Sequence, residues 1–239
     1  MIPLRDDNPT RSQPVLTVLL IAVNVLVFIY QLSLGQRQEQ ALVFQFGAIP
    51  AVIVGTRTLP EQLAAIPPVL SLFTSMFLHG GFMHIIGNML YLWIFGNNIE
   101  DAMGRVRYLI FYLTCGVLAA LAHILSSPSS VIPTIGASGA ISGVLGAYLL
   151  LYPHARVLTI IPLGFFTRLI YLPAGLVLGF WFVLQLISGS LGSPEGGGIA
   201  WFAHVGGFVA GMALVGLFKR RDVRFFNPPN YTAGYAGRW

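Results

Sequence analysis

The 239-residue sequence is 56% hydrophobic and only 9% charged, whereas an average soluble domain is about 25% charged. This composition excludes an ordinary soluble domain and predicts a polytopic membrane protein. The net charge of +5 requires no nucleic-acid partner, because an excess of Lys and Arg is typical of the cytoplasmic loops of membrane proteins.

Six apolar stretches approach or reach the roughly 20 residues that a helix needs to cross a bilayer. In chain order they are Pro14–Leu34, Phe82–Asn97, Arg107–Leu125, Ala137–Tyr152, Tyr171–Ile187 and Ile199–Phe218. The second and fourth are short. Short or interrupted spans often contain a polar site, because polar groups at membrane depth are tolerated only where they face protein or enclosed water. Two further apolar pieces, Ala41–Gly55 and Leu63–Leu78, contain Gly and Pro and predict a long first loop at the membrane surface.

These boundaries predict an all-α membrane protein with three parts. They are a cytoplasmic N-terminal segment (1–13), a six-helix membrane domain (14–218) and a cytoplasmic tail (219–239). With six spans, eleven Lys and Arg residues fall on the side of the termini, and only Arg37 and Arg57 fall on the other side. The positive-inside rule therefore predicts that both termini are cytoplasmic. The same segregation holds if both doubtful apolar pieces are counted as spans.

Polar side chains interrupt the second, fourth and sixth predicted spans close to where each begins. They are His84 and Asn88, Ser138, and His204. With the N-terminus inside, these three spans all run inward from the outer face, so the four residues are predicted to lie at one depth just below that face. Ionisable groups in lipid are costly, so their presence indicates a functional site.

Small residues recur every four positions on the fourth and sixth predicted spans and predict that these two helices cross closely. They are Gly139, Gly143 and Ala147 on one span, and Ala203, Gly207 and Gly211 on the other. A close crossing would bring the Ser138 hydroxyl within hydrogen-bond reach of the His204 imidazole. That pairing is the nucleophile-and-base arrangement of covalent catalysis.

The predicted chemistry is acyl transfer by a Ser–His dyad. Ser138 is the predicted nucleophile and His204 the predicted base. The Ser138 backbone N–H, at the start of a helix, is predicted to form an oxyanion hole together with the side chains of His84 and Asn88. No carboxylate is expected at this depth, so the pattern predicts no third triad member and no metal.

Other readings of the same residues remain open. Each polar patch alone fits helix packing, and Ser142, one turn after Ser138, is a rival nucleophile. A transporter or channel with a polar site at the bilayer midplane is disfavoured, because the polar groups are shallow and lack carboxylates. Asn24 in the first span is expected to bond a neighbouring helix.

Three segments resemble the rhomboid family of intramembrane serine proteases, over about residues 12–220. They are His79–Asn88, Gly136–Ala140 and Ala203–Gly211. The resemblance implies the same dyad and oxyanion donors, no cofactor, and cleavage of single-span membrane proteins near the outer end of their transmembrane helix. It further implies a protein of the lipid bilayer, interpreted as a bacterial plasma (inner) membrane.

The sequence departs from the family pattern at two places. Leu70-Ser71 replaces a Trp-Arg pair that family members commonly carry in the first loop. Ser142 stands where some members place an aromatic ring against the catalytic histidine, so another group must orient His204.

The alternative function is a catalytically silent rhomboid-like scaffold that binds transmembrane helices.

Overall fold

A computed structural model describes residues 1–163, 166–191 and 200–227, and the chain is mostly helical as predicted. The helices are α1 (Val15–Ser33), α2 (Gln36–Phe46), α3 (Pro50–Ile53), α4 (Ser71–Thr74), α5 (Phe82–Met103), α6 (Arg105–Ser126), α7 (Ser138–Leu151), α8 (Ala174–Leu191) and α9 (Trp201–Phe218). Ile199, the predicted start of the sixth span, and residues 228–239 of the predicted tail lie outside the described residues.

Several helices have the length and composition of membrane spans. Within the described ranges, α1, α6 and α9 each meet that test, and a fourth candidate is the pair of residues 61–77 and α5, which are bent by 81° at their junction. Both α7 and α8 are apolar but shorter. At about 1.5 Å per residue, the 14 residues of α7 extend only about 21 Å, whereas the hydrocarbon core of a bilayer is about 30 Å thick.

Helix α7 lies at the centre of the bundle, against α5, α6 and α9. Its residues Val144, Ala147, Tyr148 and Leu151 are completely buried. The glycines of this helix stand where a neighbouring helix approaches most closely, since a β-carbon on Gly143 or Gly146 would overlap atoms of α6 or α9.

Helix α5 is longer than predicted, because it continues past Asn97 to Met103. It ends at Gly104, whose φ of +80° favours glycine. Glu100 and Asp101 are buried in its last turn. The Glu100 carboxylate accepts hydrogen bonds from the backbone N–H groups of Leu16 and Thr17 and from the Thr17 hydroxyl. It therefore caps the N-terminus of α1, where negative charge is favoured.

The prediction of an all-α fold is wrong in one region, which forms a three-stranded antiparallel sheet. Its strands are β1 (Ile2–Asp6), β2 (Arg156–Leu163) and β3 (Phe166–Pro173), in the order β1-β2-β3. β2 and β3 follow α7 and are rich in β-branched and apolar residues, which suit a pleated sheet. The fifth span was predicted to begin at Tyr171, but that residue is in β3 and α8 begins after Pro173. Proline disfavours helical backbone in the residue before it, which keeps Leu172 extended.

The sheet holds the N-terminal segment against the helices. Asp6 in β1 accepts a hydrogen bond of 2.6 Å from the Tyr148 hydroxyl of α7. Burial raises the pKa of the Asp6 carboxyl to about 7, although the Tyr148 hydrogen bond acts in the opposite direction. Asp6 therefore ties the N-terminal segment, which was predicted to lie outside the membrane domain, to the central helix, while β1 packs on α5.

The connection from α2 to α5 is anchored by polar contacts. Thr74 donates a hydrogen bond of 2.6 Å to the carbonyl of Phe46. Ala48 pairs with Thr134, in the segment that leads into α7, through backbone hydrogen bonds in both directions. The expectation for Asn24 is wrong, because its amide donates to the carbonyl of Leu20 in its own helix rather than to a neighbour.

Candidate active site

Ser138 and His204 meet where α7 and α9 begin. Ser138 is the first residue of α7, and His204 is in the first turn of α9. The Ser138 Oγ and the His204 Nε2 are 2.8 Å apart, a hydrogen-bond distance. In the tautomer that carries its proton on Nδ1, the imidazole accepts the Ser138 hydroxyl proton at Nε2. This geometry allows the imidazole to act as a base toward the serine.

Glycines set this distance, because they let α7 and α9 touch through their backbones. A β-carbon on Gly207 would overlap the carbonyl of Gly139 and lie 3.0 Å from its carbon atom. A β-carbon on Gly211 would overlap the backbone of Gly143 in the same way. The two small-residue stripes that the sequence indicated are thus in direct contact, immediately beside Ser138 and His204.

His84 and Asn88 lie one turn apart on α5 and face the segment before Ser138. Gly136, with a φ of +122°, brings its backbone against the His84 ring, since a β-carbon there would lie 2.6 Å from His84 Nε2 and 3.7 Å from Asn88 Nδ2. The Asn88 side chain is buried, and its Nδ2 has no hydrogen-bond partner in the described part of the chain. An unpaired buried amide donor is costly, so the Asn88 Nδ2 is available to bind water, a ligand or an intermediate.

The His84 ring is supported from its other side. Its Nδ1 accepts a hydrogen bond of 3.3 Å from the Gly80 N–H. The ring of His79 packs edge-on against it, with 5.1 Å between the ring centroids. Gln31 of α1 holds the His79 backbone by a hydrogen bond to its N–H and another to its carbonyl.

His204 has three neighbours on its far side that sequence reasoning did not identify. Gln185 of α8 places its Oε1 2.7 Å from the His204 Nδ1. The rings of Trp181 and Trp201 lie 5.9 and 6.2 Å from the imidazole, measured between centroids. Gln185 could have been found from the sequence, because it is an isolated amide within the apolar run 180–187. Polar side chains in membrane helices usually form hydrogen bonds with a neighbouring helix.

Ser142 is placed differently from Ser138. Its hydroxyl donates a hydrogen bond of 2.6 Å to the backbone carbonyl of Ser138, one turn earlier in α7, and its side chain is completely buried. The hydroxyl proton is therefore engaged by the backbone rather than by a base. The geometry brings Ser138, and not Ser142, to the imidazole.

A cavity of about 1450 Å³ reaches the site. Ser138, His204, His84 and Asn88 all contribute to its lining. It extends to Ser130, in the connection between α6 and α7. Polar side chains in its wall make it suitable for water. Nowhere in the described ranges do three His, Cys, Asp or Glu side chains cluster as they would around a metal ion.

Comparison with known proteins adds to this geometry. The family model described as the Rhomboid domain matches residues 68–221, which include all four site residues. The chain is 31% identical over 212 residues to the rhomboid protease GluP of Bacillus subtilis, an alignment that covers 87% of this chain and 36% of that protein.

Two eukaryotic relatives are similar at the same level. RHOMBOID-like protein 1 of Arabidopsis thaliana is 34% identical over 169 residues, covering 69% of this chain and 39% of the relative. Rhomboid protein 1, mitochondrial, of Saccharomyces cerevisiae is 29% identical over 175 residues, covering 71% of this chain and 47% of the relative. The chain thus spans between about a third and a half of the length of these three proteins.

Proposed function

The chain belongs to the rhomboid family, and on this premise we propose that it is an intramembrane serine endopeptidase. The observation that carries the proposal is the 2.8 Å contact between the Ser138 Oγ and the His204 Nε2. The proposed substrates are single-span membrane proteins, cut near the outer end of their transmembrane helix. No metal or other cofactor takes part in the proposed reaction.

The first half of the reaction forms an acyl-enzyme. His204 Nε2 takes the Ser138 hydroxyl proton while the Ser138 Oγ attacks the carbonyl carbon of the scissile peptide bond. The tetrahedral intermediate places a negative charge on the former carbonyl oxygen. When the imidazolium gives its proton to the leaving nitrogen, the C–N bond breaks, which frees the amine and leaves the acyl group on the Ser138 Oγ.

The negative charge needs hydrogen-bond donors that are already in place. The unpaired Asn88 Nδ2 and the His84 ring lie on one side of the proposed oxyanion position. The Ser138 N–H, at the start of α7, adds a backbone donor together with the positive end of the helix dipole.

The second half of the reaction consumes water. His204 takes a proton from a water molecule, whose oxygen attacks the acyl carbonyl. The Ser138 Oγ then leaves with the proton, which restores the enzyme and releases a carboxylic acid. The polar cavity that contains Ser138 and His204 supplies a route for this water.

We further propose that α1 and α5–α9 form a six-helix membrane domain over residues 14–218, with both termini in the cytoplasm. Contacts between the two ends of the chain support an even number of crossings. Arg11 bonds Asp222, and both Ser12 and Arg220 contact Asp101. These residues share one end of the bundle, whereas Ser138 lies at the opposite end of α7 from Leu151, whose carbonyl accepts a hydrogen bond from the Asn227 backbone N–H. The proposed site is therefore near the outer face of a plasma membrane.

Two assays on the purified protein in detergent test the proposal. A fluorophosphonate probe reacts with a serine whose proton is taken by a base, so we expect labelling of the wild type, no labelling of Ser138→Ala and strong loss in His204→Ala. Ser142→Ala is the matched control and should keep its label. The second assay is cleavage of a panel of single-span helices, which should follow the same order.

Two results would overturn the proposal. Label that maps to Ser142, or that persists in Ser138→Ala, would refute the mechanism even if a substrate is cut. A folded wild type that neither takes the label nor cuts any helix of the panel would favour a scaffold without catalysis.

A further inference from the structure

The His204 Nδ1, on the side of the ring away from Ser138, forms a hydrogen bond with the side chain of Gln185. Gln185 Oε1 lies 2.7 Å from His204 Nδ1, and the two side chains are 7% and 8% exposed. In the described part of the chain, no carboxylate forms a hydrogen bond with His204. The contact therefore joins two buried polar groups that face each other across α8 and α9.

The direction of this hydrogen bond follows from the chemistry on the other side of the ring. His204 can accept the Ser138 proton at Nε2 only if Nδ1 carries the ring proton. A buried Nδ1–H needs an acceptor, because an unsatisfied buried donor costs on the order of 1–3 kcal/mol. The Gln185 Oε1 is an acceptor at the correct distance.

We propose that Gln185 is a positioning residue of the Ser138–His204 dyad, and that its amide oxygen holds His204 in the tautomer protonated at Nδ1. This inference rests on the proposed function, because it assigns a role within the same site. Trp181 and Trp201 pack against the ring and restrict its rotation. The glutamine completes a Ser–His–Gln relay in which each hydrogen bond fixes the direction of the next.

An amide suits this position better than a carboxylate does. α8 is largely apolar, and its residues Val183 and Leu184 are exposed on the outside of the bundle. An ionised carboxylate buried in such surroundings loses its hydration, at a cost that exceeds that of a neutral amide. Gln185 therefore orients the imidazole without introducing a charge.

The first test measures the tautomer and does not depend on proteolysis. Histidines labelled with ¹⁵N distinguish a protonated from an unprotonated ring nitrogen by NMR, and the His204 signals are assigned by their loss in His204→Ala. We expect the wild type to show His204 protonated at Nδ1 and Gln185→Leu to lose that preference. Asn24→Leu is the matched control, because it also replaces a buried amide by leucine, but in α1. It should leave the His204 signals unchanged.

The second test measures kinetics on a single-span substrate. Gln185→Leu should lower kcat by about 10- to 100-fold, the range found when a histidine that binds a metal loses the group that orients it, with KM unchanged. Gln185→Glu keeps an acceptor oxygen at the same reach and should recover part of the lost kcat, though less than the full wild-type value, because its carboxylate must be buried. Thermal unfolding of all variants verifies that each is folded.

The two tests separate this inference from the function on which it rests. If Gln185→Leu is folded and keeps the wild-type tautomer and kcat, the positioning role is refuted while the protease stands. If Gln185→Glu is as slow as Gln185→Leu, the acceptor oxygen is not what matters, and the inference also fails. If the wild type cleaves nothing, the proposed function fails, but the NMR comparison still decides whether Gln185 sets the tautomer.

Discussion

A single methyl group added at Gly207 should disable the site by separating two helices. The β-carbon of Gly207→Ala would lie 3.0 Å from the carbonyl carbon of Gly139 and closer still to its oxygen. Ordinary van der Waals contact between heavy atoms needs about 3.5 Å, so α7 and α9 must move apart by on the order of 1 Å at this point. The Ser138–His204 hydrogen bond is 2.8 Å long, and an added 1 Å takes it beyond the useful range of about 3.2 Å.

The expected effects are large on activity and moderate on stability. A misplacement of about 1 Å in catalytic groups costs about 100-fold in rate, so we expect kcat to fall by about that factor. Overpacking costs about 1–3 kcal/mol, which is partly offset by the gain of about 1 kcal/mol in helix propensity when alanine replaces glycine.

The control is the same substitution at Gly179 of α8, where an added β-carbon meets no atom within 4 Å. Gly179→Ala gains helix propensity without overpacking and should keep its kcat and its melting temperature or raise the latter slightly. Both variants are measured for cleavage of a single-span substrate and for thermal unfolding in one detergent. Wild-type kcat in Gly207→Ala would refute the reasoning, and so would an equal loss of kcat in Gly179→Ala.

Three further predictions concern other parts of the chain. Asn88→Ala should lower kcat by about tenfold or more with little change in KM, because a preorganised oxyanion donor acts on the transition state; unchanged kcat would exclude Asn88 from the oxyanion hole. Glu100→Ala should lower the melting temperature by several degrees, because it leaves the first amides of α1 without their buried acceptor, whereas the control Glu61→Ala, at an exposed position, should not. The raised pKa of Asp6, about 7 instead of 3.8, means that its contribution to stability is fully present below pH 4 and is lost as pH rises through 7. From pH 5 to pH 8 the wild type should therefore lose melting temperature relative to Asp6→Asn, and parallel curves for the two proteins would contradict this assignment.

The polar interruptions and the glycine spacing carried most of the information that the sequence held about the candidate site. His204 and Ser138 are 66 positions apart in sequence, yet each lies close to the start of a predicted membrane span. A residue near the start of a span lies near the membrane surface, so the two residues were predicted to share one depth. Gln185 gave a weaker signal, because it stands near the far end of its predicted span, Tyr171–Ile187, and the side of α8 that meets α9 depends on where the helix begins. That start was predicted too early, at Tyr171, because an apolar strand and an apolar helix end look alike without periodicity.

The sheet escaped prediction for a related reason. β1 is separated from β2 by about 150 residues, and pairing at such a distance leaves no local pattern. Glu100 was expected at an end or in a loop, and it lies in the last turn of α5, but no partner was predicted for it. Its carboxylate accepts hydrogen bonds from the first backbone N–H groups of α1. This contact depends on the fold, which places α1 beside α5, and could not be read from the local sequence.

The short central helix also has a consequence for the membrane as a barrier. If α7 crosses the bilayer as proposed, the cavity at Ser138 lies toward the outer end of that helix, and Tyr148 and Leu151, both completely buried, lie between it and the cytoplasmic end. Water can then serve hydrolysis without forming a continuous column through the protein. In the part of the chain that the structure describes, these side chains separate the cavity from the opposite end of α7, so the proposed proteolysis would be compatible with a membrane that holds ion gradients.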